Sequence, residues 1–372
     1  MEYRDFCGGR VSALGFGTMR LPKRDDGSID REKAASMVES AFAGGVNYFD
    51  TAWCYHDGDS EVFLGEALAA HPRESYFLTD KLPVWVCGSR EDDVRIFDEQ
   101  LRRCRVEYFD YYLAHSIDAD NYKSMVKCEA YPFLCEKKRE GRIKKLGFSF
   151  HGDAALMETM LRDYEWDFVQ LELNYLDWSE QDAEKIYGMV REKGLPVVVM
   201  EPLRGGMLVS PPAVAAAALK NADPELPFPD WAFRWLFGLE GVSVILSGMS
   251  SPEQLSDNLR IFSACEPLDP AHRAALEKVV AAIRSVERVP CTACGYCMPC
   301  PAGVDIPGML KIYNTFLESR YTMELKASYD RAPKASRAEN CTSCGACRAV
   351  CPQGIAAFEH MKELTKVIED IK

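Results

Sequence analysis

The chain has 372 residues, of which 47% are hydrophobic and 27% are charged, with 44 basic and 57 acidic side chains. Its net charge of −13 argues against nucleic acids and anionic membranes as partners, because both would repel an acidic surface. No apolar run approaches the roughly 18 residues of a membrane span, and the polar start MEYRDFCGGR differs from a signal peptide. We therefore expect a water-soluble, cytoplasmic protein.

Short β-branched or aromatic runs alternate with amphipathic helical segments through residues 1–265. This alternation is typical of βα units around a parallel sheet. The predicted strands cover residues 13–16, 46–49, 76–79, 108–114, 144–148, 168–173, 196–200 and 242–246, and the clearest helices cover 31–43, 60–69, 90–103, 182–193 and 252–262. Eight such strands predict an α/β fold, a closed TIM (β/α)8 barrel with its chemistry at the carboxyl ends of the strands. We assign the barrel to residues 1–268, a connecting helix to 269–288 and a further domain to 289–372.

Four polar side chains stand at three successive predicted strand ends. They are Asp50 and Tyr55 in FDTAWCY, Lys81 in LTDK and His115 in YYLAHS. Each alone has a structural explanation, as a cap, a half-buried aromatic, an ion-pair partner or a core histidine. Together and in this order they resemble the catalytic tetrad of the aldo-keto reductase family. The similarity extends from VSALGFGTMRLP to SSPEQLSDNL, and it implies a barrel, a nicotinamide cofactor and carbonyl or alcohol redox chemistry.

The four residue types suit the reduction of a carbonyl, because hydride transfer leaves an alkoxide that must receive a proton. Tyr55 is the expected acid, and the Lys81 ammonium beside it would make the phenol a better proton donor. Asp50 would keep Lys81 charged and oriented. His115 would hydrogen-bond the carbonyl oxygen and fix its angle to the hydride donor.

The resemblance also implies contacts to the nicotinamide dinucleotide, with several departures from the family pattern. The implied contact residues are Gly17, Thr18, Ser149, Gln170, Met200, Leu203, Gln254 and Asn258. Phe150 replaces an asparagine, Met200 stands where many relatives stack a tyrosine on the ring, and Gly248 and Gln254 replace a lysine and an arginine. The loss of both cations removes charge-assisted contacts to a 2′-phosphate, so NADP(H) and NAD(H) both remain open.

Three tryptophans lie in predicted loops after strands: Trp53, Trp85 and Trp178. They would form an aromatic wall for a small carbonyl or alcohol substrate. Loop tryptophans are also common packing residues, so the sequence leaves both roles open.

Eight cysteines follow the barrel in two runs, CTACGYCMPCP at 291–301 and CTSCGACRAVCP at 341–352. The second is the ligand run of a four-iron cluster, and the first is one residue shorter before its last cysteine. In two-cluster ferredoxins the fourth cysteine of each run ligates the other cluster. We therefore predict one [4Fe-4S] cluster on Cys291, Cys294, Cys297 and Cys351, and a second on Cys341, Cys344, Cys347 and Cys300. Structural zinc and disulfides are the alternatives.

The whole chain resembles a subgroup of aldo-keto reductases fused to a C-terminal ferredoxin-like domain with two clusters. Helical patterns at 309–317 and 355–371 predict that this domain is small and mostly helical. A nicotinamide passes a two-electron hydride whereas a cluster passes single electrons, and a flavin often bridges the two, although no residue marks a flavin site.

Three hypotheses follow from this combination. In the first, the tetrad acts on a carbonyl or alcohol, and the clusters connect it to an external electron carrier such as a ferredoxin or flavoprotein. In the second, the clusters are a structural or docking module on an ordinary NAD(P)H-dependent reductase. In the third, the chain is an electron-transfer subunit or flavin-linked protein whose barrel does not reduce carbonyls.

Overall fold

The computed structural model describes residues 1–179, 182–285, 288–319 and 321–371. Its strands β3 to β10 are all parallel and close into a barrel in which β10 pairs with β3, which confirms the predicted TIM barrel. The strands of the described chain are β1 (Tyr3–Phe6), β2 (Gly9–Ser12), β3 (Leu14–Gly17), β4 (Tyr48–Asp50), β5 (Phe77–Leu82), β6 (Phe109–Ile117), β7 (Ile143–Phe150), β8 (Phe168–Glu172), β9 (Val197–Met200) and β10 (Val242–Gly248).

Several barrel strands extend further toward their carboxyl ends than the sequence pattern predicts. Strand β6 runs to Ile117, whereas its predicted end is residue 114. Polar residues interrupt the apolar pattern there, but after a break at residues 115–116 the strand pairs with β7 again, Ile117 with Phe150. Asp50, Lys81 and His115 therefore lie within the carboxyl-terminal parts of the strands β4, β5 and β6, where the barrel holds their backbone.

An antiparallel hairpin of β1 and β2 precedes the barrel and is not among the predicted strands. The ring of Phe6 stacks on Tyr111 with 4.5 Å between centroids and meets Phe168 edge-on at 5.2 Å. The Tyr111 hydroxyl donates to Phe6 O at 3.0 Å. Because Tyr111 and Phe168 lie near the starts of β6 and β8, the hairpin fills the amino end of the barrel.

Helices alternate with the barrel strands, and side-chain caps fix several of their starts. Asp30, Asp153 and Ser251 accept hydrogen bonds from backbone N–H groups in the first turns of α1, α6 and α10. The helices of the described chain are α1 (Arg31–Ala43), α2 (Asp59–Leu68), α3 (Arg90–Cys104), α4 (Ala119–Lys127), α5 (Ala130–Arg139), α6 (Ala154–Asp163), α7 (Ala183–Glu192), α8 (Ala213–Ala222), α9 (Phe228–Phe237), α10 (Pro252–Ile261), α11 (Pro270–Arg284), α12 (Ile306–Ser319), α13 (Thr322–Arg331), α14 (Ala346–Ala349) and α15 (Ala357–Asp370).

The chain divides into two compact units, Met1–Pro202 with Asp230–Leu268, and Leu203–Pro229 with Asp269–Lys372. Helix α11 occupies most of the predicted connecting helix at 269–288, and residues 286–287 of that prediction fall outside the described residues. The second unit is helical, as predicted, with an apolar core that the cysteines of both runs contact. Among the described helices, none is both long and apolar enough to cross a membrane.

Candidate active site and cluster sites

Lys81 and Asp50 form a buried ion pair at the carboxyl end of the barrel. Lys81 Nζ donates to Asp50 Oδ1 at 2.6 Å and to the backbone oxygen of Thr51 at 2.6 Å. The Lys81 side chain has no exposed surface, and that of Asp50 is 3% exposed. The neighbouring strands β4 and β5 therefore hold a cation and its counter-ion in one geometry, away from water.

Tyr55 and His115 lie beside this pair. Lys81 Nζ is 5.0 Å from the centroid of the Tyr55 ring. That ring meets the His115 imidazole edge-on, with 6.2 Å between centroids. Tyr55 begins a 3-10 turn after β4, and it is half-buried, whereas His115 is buried. The structure thus brings all four residues of the predicted tetrad to one place.

Burial shifts the pKa values of Asp50 and His115. It raises the pKa of Asp50, although the contact with Lys81 opposes that shift. It also lowers the pKa of His115 well below its usual value, with further lowering from the nearby Lys81 charge and from His151. His115 is therefore a neutral imidazole at neutral pH, able to share a hydrogen bond with a carbonyl oxygen.

A bulge in β6 sets the direction of His115. The pairing of β6 with β7 breaks between Ala114 and Ile117, and Ser116 adopts a left-handed backbone with φ of 56°. The Ser116 N–H donates to Ser149 Oγ at 2.7 Å. Bulges of this kind re-aim the adjacent side chain. Ser149, predicted to contact the cofactor, thus also stabilises the strand that presents His115.

Gln170 and Met200 face each other at the ends of neighbouring strands β8 and β9. Gln170 Nε2 donates to Met200 Sδ at 3.4 Å. Gln170 Oε1 is buried and accepts no hydrogen bond. A buried carbonyl oxygen without a donor is costly, so this atom suits an incoming amide N–H. The observation fits the carboxamide of a nicotinamide, the group that the resemblance assigns to Gln170.

The residues predicted to bind the rest of the dinucleotide each have hydrogen-bond or strand partners close by. Thr18 Oγ1 donates to Asp50 O at 2.9 Å, and Gly17 pairs with Gly248 of β10. Asn258 Nδ2 donates to Ser247 Oγ at 2.8 Å. On the same helix, Gln254 Oε1 accepts a hydrogen bond from the Ser250 N–H at 2.7 Å. Leu203, the first residue of the second unit, accepts backbone hydrogen bonds from Gly206 and Leu208.

A cation that the sequence pattern did not indicate lies next to Gly248. A Cβ on Gly248 would come within 3.1–3.2 Å of the aliphatic part of Arg20, so the two are in close contact. Arg20 Nη2 is 3.7 Å from Glu201 Oε1. Arg20 follows Gly17 and Thr18 in GFGTMR, and only its position in the fold distinguishes it from an ordinary surface arginine.

The three predicted wall tryptophans have different surroundings. The Trp85 ring lies 5.0 Å from the His115 ring, beside the tetrad. The Arg103 guanidinium covers Trp53 at 4.1 Å from the ring centroid. Trp178 packs edge-on against Trp235 at 5.1 Å. Trp85 therefore has the position of a substrate wall, and Trp178 has the contacts of a packing residue.

A buried polar network supports Lys81 from behind. Gln100 Nε2 donates to Lys81 O at 3.0 Å and to Glu61 Oε1 at 2.9 Å, and Arg103 Nη1 donates to Glu61 Oε2 at 2.9 Å. Burial and the neighbouring Glu61 charge raise the pKa of Asp80 well above its usual value. Sequence reasoning missed this network, because its members come from two helices and a strand with no shared motif.

The cysteines of the two runs line two cavities in the second unit. One cavity is lined by Cys291, Cys294, Cys297 and Cys351, with Cys347 also on its wall. The other is lined by Cys300, Cys341, Cys344 and Cys347, with Cys297 also on its wall. Each cavity thus includes the fourth cysteine of the opposite run, and the remaining lining is largely apolar.

The two cysteine runs share the same left-handed backbone positions around their second cysteines. The residue before the second cysteine is left-handed in both, with φ of 53° at Ala293 and 56° at Ser343. The glycine after it is also left-handed in both runs, at Gly295 and Gly345. In the first run the Ala293 N–H donates to Cys291 Sγ at 3.4 Å. A tight repeated turn of this kind directs three sulfurs toward one cavity.

Without a cation in the first cavity the Cys297 thiol would stay protonated. Burial raises the pKa of Cys297 to about 12, and the neighbouring Cys294, Cys291 and Cys351 add to the shift. Iron must therefore displace protons when it binds. Four sulfurs around a cavity with an otherwise largely apolar lining fit an iron-sulfur cluster, whose irons offset the thiolate charge.

A barrel with polar strand ends and a helical domain with two cysteine-lined cavities define an oxidoreductase that carries a 4Fe-4S dicluster domain. Residues 13–281 match the Aldo/keto reductase family, and residues 290–356 match the 4Fe-4S dicluster domain. The chain therefore belongs to the aldo/keto reductase family, in the fused form that its sequence predicts.

Individual relatives cover the barrel part of the chain. The NADH-specific methylglyoxal reductase of Escherichia coli strain K12 is 26% identical over 294 residues, 67% of this chain and 89% of that protein. The L-galactose dehydrogenase of Arabidopsis thaliana is 28% identical over 280 residues, 70% and 86% of the two chains. The holo form of aldo-keto reductase AKR11C1 from Bacillus halodurans superposes with a TM-score of 0.64 at 25% identity, over 75% of this chain and 96% of that one.

Proposed function

We propose that this protein reduces a small carbonyl compound, or oxidises the corresponding alcohol, with a nicotinamide dinucleotide at the Asp50, Tyr55, Lys81 and His115 site. The strongest support is that a buried, charge-balanced Lys81 lies next to both the phenol ring and the neutral imidazole. The nicotinamide supplies or accepts the hydride. The protein's own residues then have to orient the carbonyl and move one proton.

Each tetrad residue has one task in this proposal. The His115 imidazole hydrogen-bonds the carbonyl oxygen and fixes its position against Trp85. Tyr55 gives its hydroxyl proton to the oxygen as negative charge develops there. Lys81 stabilises the resulting phenolate through its positive charge. Asp50 keeps that charge in place through its hydrogen bond from the ammonium.

The dinucleotide is proposed to be NADH in preference to NADPH. Gly248 and Gln254 offer no charge to a 2′-phosphate, and Gln254 Oε1 is already hydrogen-bonded to backbone. Arg20, close to Gly248, has Glu201 within ion-pair distance. The name of the Escherichia coli relative, an NADH-specific enzyme, agrees with this preference. The remaining contacts are proposed for Gly17, Thr18, Ser149, Gln170, Met200, Leu203 and Asn258.

The two cavities are proposed to hold [4Fe-4S] clusters, with the ligand exchange that the cysteine spacing predicts. Cys351 on the wall of the first cavity and Cys300 on the wall of the second support this exchange. Zinc is the main alternative, and a zinc ion in either cavity would have to draw four of the cysteine sulfurs to about 2.3 Å from a single point. We further propose that the clusters exchange electrons with an external carrier, in a reducing, cytoplasmic setting that preserves thiolate ligands.

The direct test is the rate of NADH oxidation by anaerobic, iron-loaded protein with a panel of small aldehydes. Tyr55→Phe removes only the proposed acid, so the rate is expected to fall by roughly 10²–10⁴-fold. Tyr122→Phe, a half-buried tyrosine on α4, serves as the matched control and is expected to retain the rate. An unchanged rate in Tyr55→Phe, with the control also unchanged, would remove the tetrad from the proposal.

A further inference from the structure

The first cysteine loop lies directly against a turn that follows strand β9. A Cβ on Gly205 would be 2.1 Å from Thr292 O and 2.7 Å from Thr292 C, far inside contact distance. Gly205 has φ of 64°, in the 3-10 turn Arg204–Gly206. Thr292 lies between the ligands Cys291 and Cys294, and both segments belong to the second unit. The backbone of the turn and the backbone of the cysteine loop are therefore packed without any side chain between them.

The cysteine run itself does not require this burial, because the second run has the same turn without it. Thr292 is only 5% exposed. Thr342 occupies the equivalent position in the second run, and it is exposed. The two loops share their left-handed positions at Ala293 and Ser343, so the backbone turns alike directly after Thr292 and Thr342. The burial of Thr292 therefore reflects what is packed on it, the turn at Gly205.

Hydrogen bonds link each partner of this contact to the chain beside it. Within the turn, Leu203 O accepts from Gly206 N at 3.0 Å and from Leu208 N at 3.2 Å, and Leu208 is fully buried. On the other side, Asn314 of α12 donates to Val289 O at 2.9 Å and accepts from Val289 N at 2.7 Å. A displacement of the cysteine loop would therefore reach the turn, because the backbones of Thr292 and Gly205 are in direct contact.

The charged side chains near the contact between Gly205 and Thr292 also favour a filled first cavity. The positive charge of Arg204 adds to burial in lowering the pKa of Arg288, while Glu318, whose Oε1 is 3.0 Å from Arg288 Nη1, opposes that lowering. Two guanidiniums therefore stand near the start of the first cysteine run. A cluster bound by four thiolates carries net negative charge, so filling the cavity would relieve the repulsion between the two cations.

We propose that the first cluster holds the turn at residues 203–206 in place, so that loading of the cluster and binding of the nicotinamide dinucleotide favour each other. This rests on the proposed function, in which Leu203 contacts the dinucleotide, as does Met200 three residues earlier in the chain. An empty first cavity leaves the cysteine loop without its central support, and the turn loses the surface on which Gly205 rests. The coupling is reciprocal, as any equilibrium linkage between two sites must be.

The test measures binding without turnover. The dissociation constants of NAD⁺ and of NADP⁺ are determined anaerobically by calorimetry for iron-loaded protein and for protein stripped of iron. Loading is expected to tighten binding of the preferred dinucleotide at least about fivefold, the lower end of measured allosteric couplings. In the reverse experiment, that dinucleotide is expected to slow the release of iron from loaded protein to a chelator.

Gly205→Ala and Gly206→Ala form a matched pair of variants. Both glycines have left-handed backbones, with φ of 64° and 92°, so an alanine is strained at either. Only at Gly205 does the added Cβ meet the backbone of Thr292, and nothing lies within 4 Å of a Cβ at Gly206. Gly205→Ala is expected to weaken dinucleotide binding at least about fivefold and to speed iron release, whereas Gly206→Ala is expected to keep the coupling.

The outcomes separate this inference from the function on which it rests. Loaded wild-type protein that binds neither dinucleotide would overturn the proposed function. Wild-type protein that binds equally with and without iron, or a Gly205→Ala variant that matches Gly206→Ala, would overturn the inference and leave the function standing. Should Gly205→Ala fail to fold, iron release from wild-type protein decides, because a rate unaffected by the dinucleotide would end the proposal.

Discussion

Lys81 is a cation with no exposed surface, and Asp50 is its counter-ion at 2.6 Å. A buried charge that loses its partner is strongly destabilising, at roughly 3–5 kcal/mol, unless the group neutralises instead. The pair therefore has a structural as well as a catalytic consequence. It makes the stability of the barrel and the activity of the site depend on the same two atoms.

Asp50→Asn is expected to lower the free energy of unfolding by roughly 3–5 kcal/mol and also to reduce the rate of carbonyl reduction. Urea denaturation and anaerobic NADH oxidation measure the two effects. Asp59→Asn, at the exposed start of α2, is the control and should cost less than about 1 kcal/mol. Equal stability of the two variants would contradict a charged, buried Lys81.

The half-buried His151 predicts a pH dependence of stability. Burial lowers the pKa of His151 from 6.5 to about 4, with Asp118 opposing the shift. Between these values the unfolded chain binds more protons than the folded chain, so stability is complete above about 6.5 and is lost as the pH falls toward 4. His151→Asn is expected to flatten this dependence in urea midpoints measured above and below pH 6.5. A variant with the wild-type slope would show that other groups are responsible.

At the residue scale, the sequence predicts the members of the site better than their contacts. Asp50, Tyr55, Lys81 and His115 could be proposed because their types and order match one chemical task. Arg20 could not, because its nearness to Gly248 depends on β3 and β10 being neighbours in a closed barrel.

Among the elements, helix α12 has a particular role because Asn314 holds both backbone groups of Val289. That segment leads directly into Cys291, whose N–H donates to Val289 O at 2.8 Å. The helix therefore fixes the start of the first cysteine run through a single amide side chain.

Asn314→Ala is expected to leave the Val289 N–H buried without a partner, at a cost of roughly 1–3 kcal/mol, and to leave the Val289 C=O with only the Cys291 N–H. Iron release from the loaded protein to a chelator should consequently be faster, and the unfolding midpoint lower. Thr315→Ala, at an exposed position one residue along the same helix, is the control. Identical release rates for the two variants would argue against this role of Asn314.

The barrel strands and major helices follow from apolar periodicity, which is why their existence could be predicted. The end of β6 could not, because its last residues are polar and its pairing is interrupted by the bulge at Ser116. The hairpin of β1 and β2 was missed for a related reason. Its strands have four residues each and include charged side chains, and only Phe6 and Val11 enter the core below the barrel.

At the scale of the whole molecule, the two units have different sources of stability. The barrel has a continuous apolar interior and is expected to fold without a cofactor. In the second unit, cysteines of both runs pack against the apolar core, so the clusters themselves would complete it. The sequence indicated the composition of this domain but not its packing, because the spacing of cysteines does not determine which helix contacts which loop.

Removal of iron is therefore expected to reduce the helical circular dichroism signal and to expose residues 289–371 to proteases, while the barrel stays resistant. Limited proteolysis followed by mass analysis locates the cuts. The loaded protein under the same anaerobic conditions is the control. Retained helicity and a cooperative melt after iron removal would show that the domain folds on its own.

The hairpin at the amino end of the barrel also constrains the order in which the chain can fold during synthesis. Phe6 packs with Phe168 and Val244, and the Glu2 N–H donates to Phe262 O at 3.1 Å. The hairpin therefore completes its contacts only after the last barrel strand has emerged from the ribosome. Such distant pairings slow folding. We expect the nascent chain to expose Phe6 for most of its translation, and a chain that stops before β10 to be a substrate for chaperones.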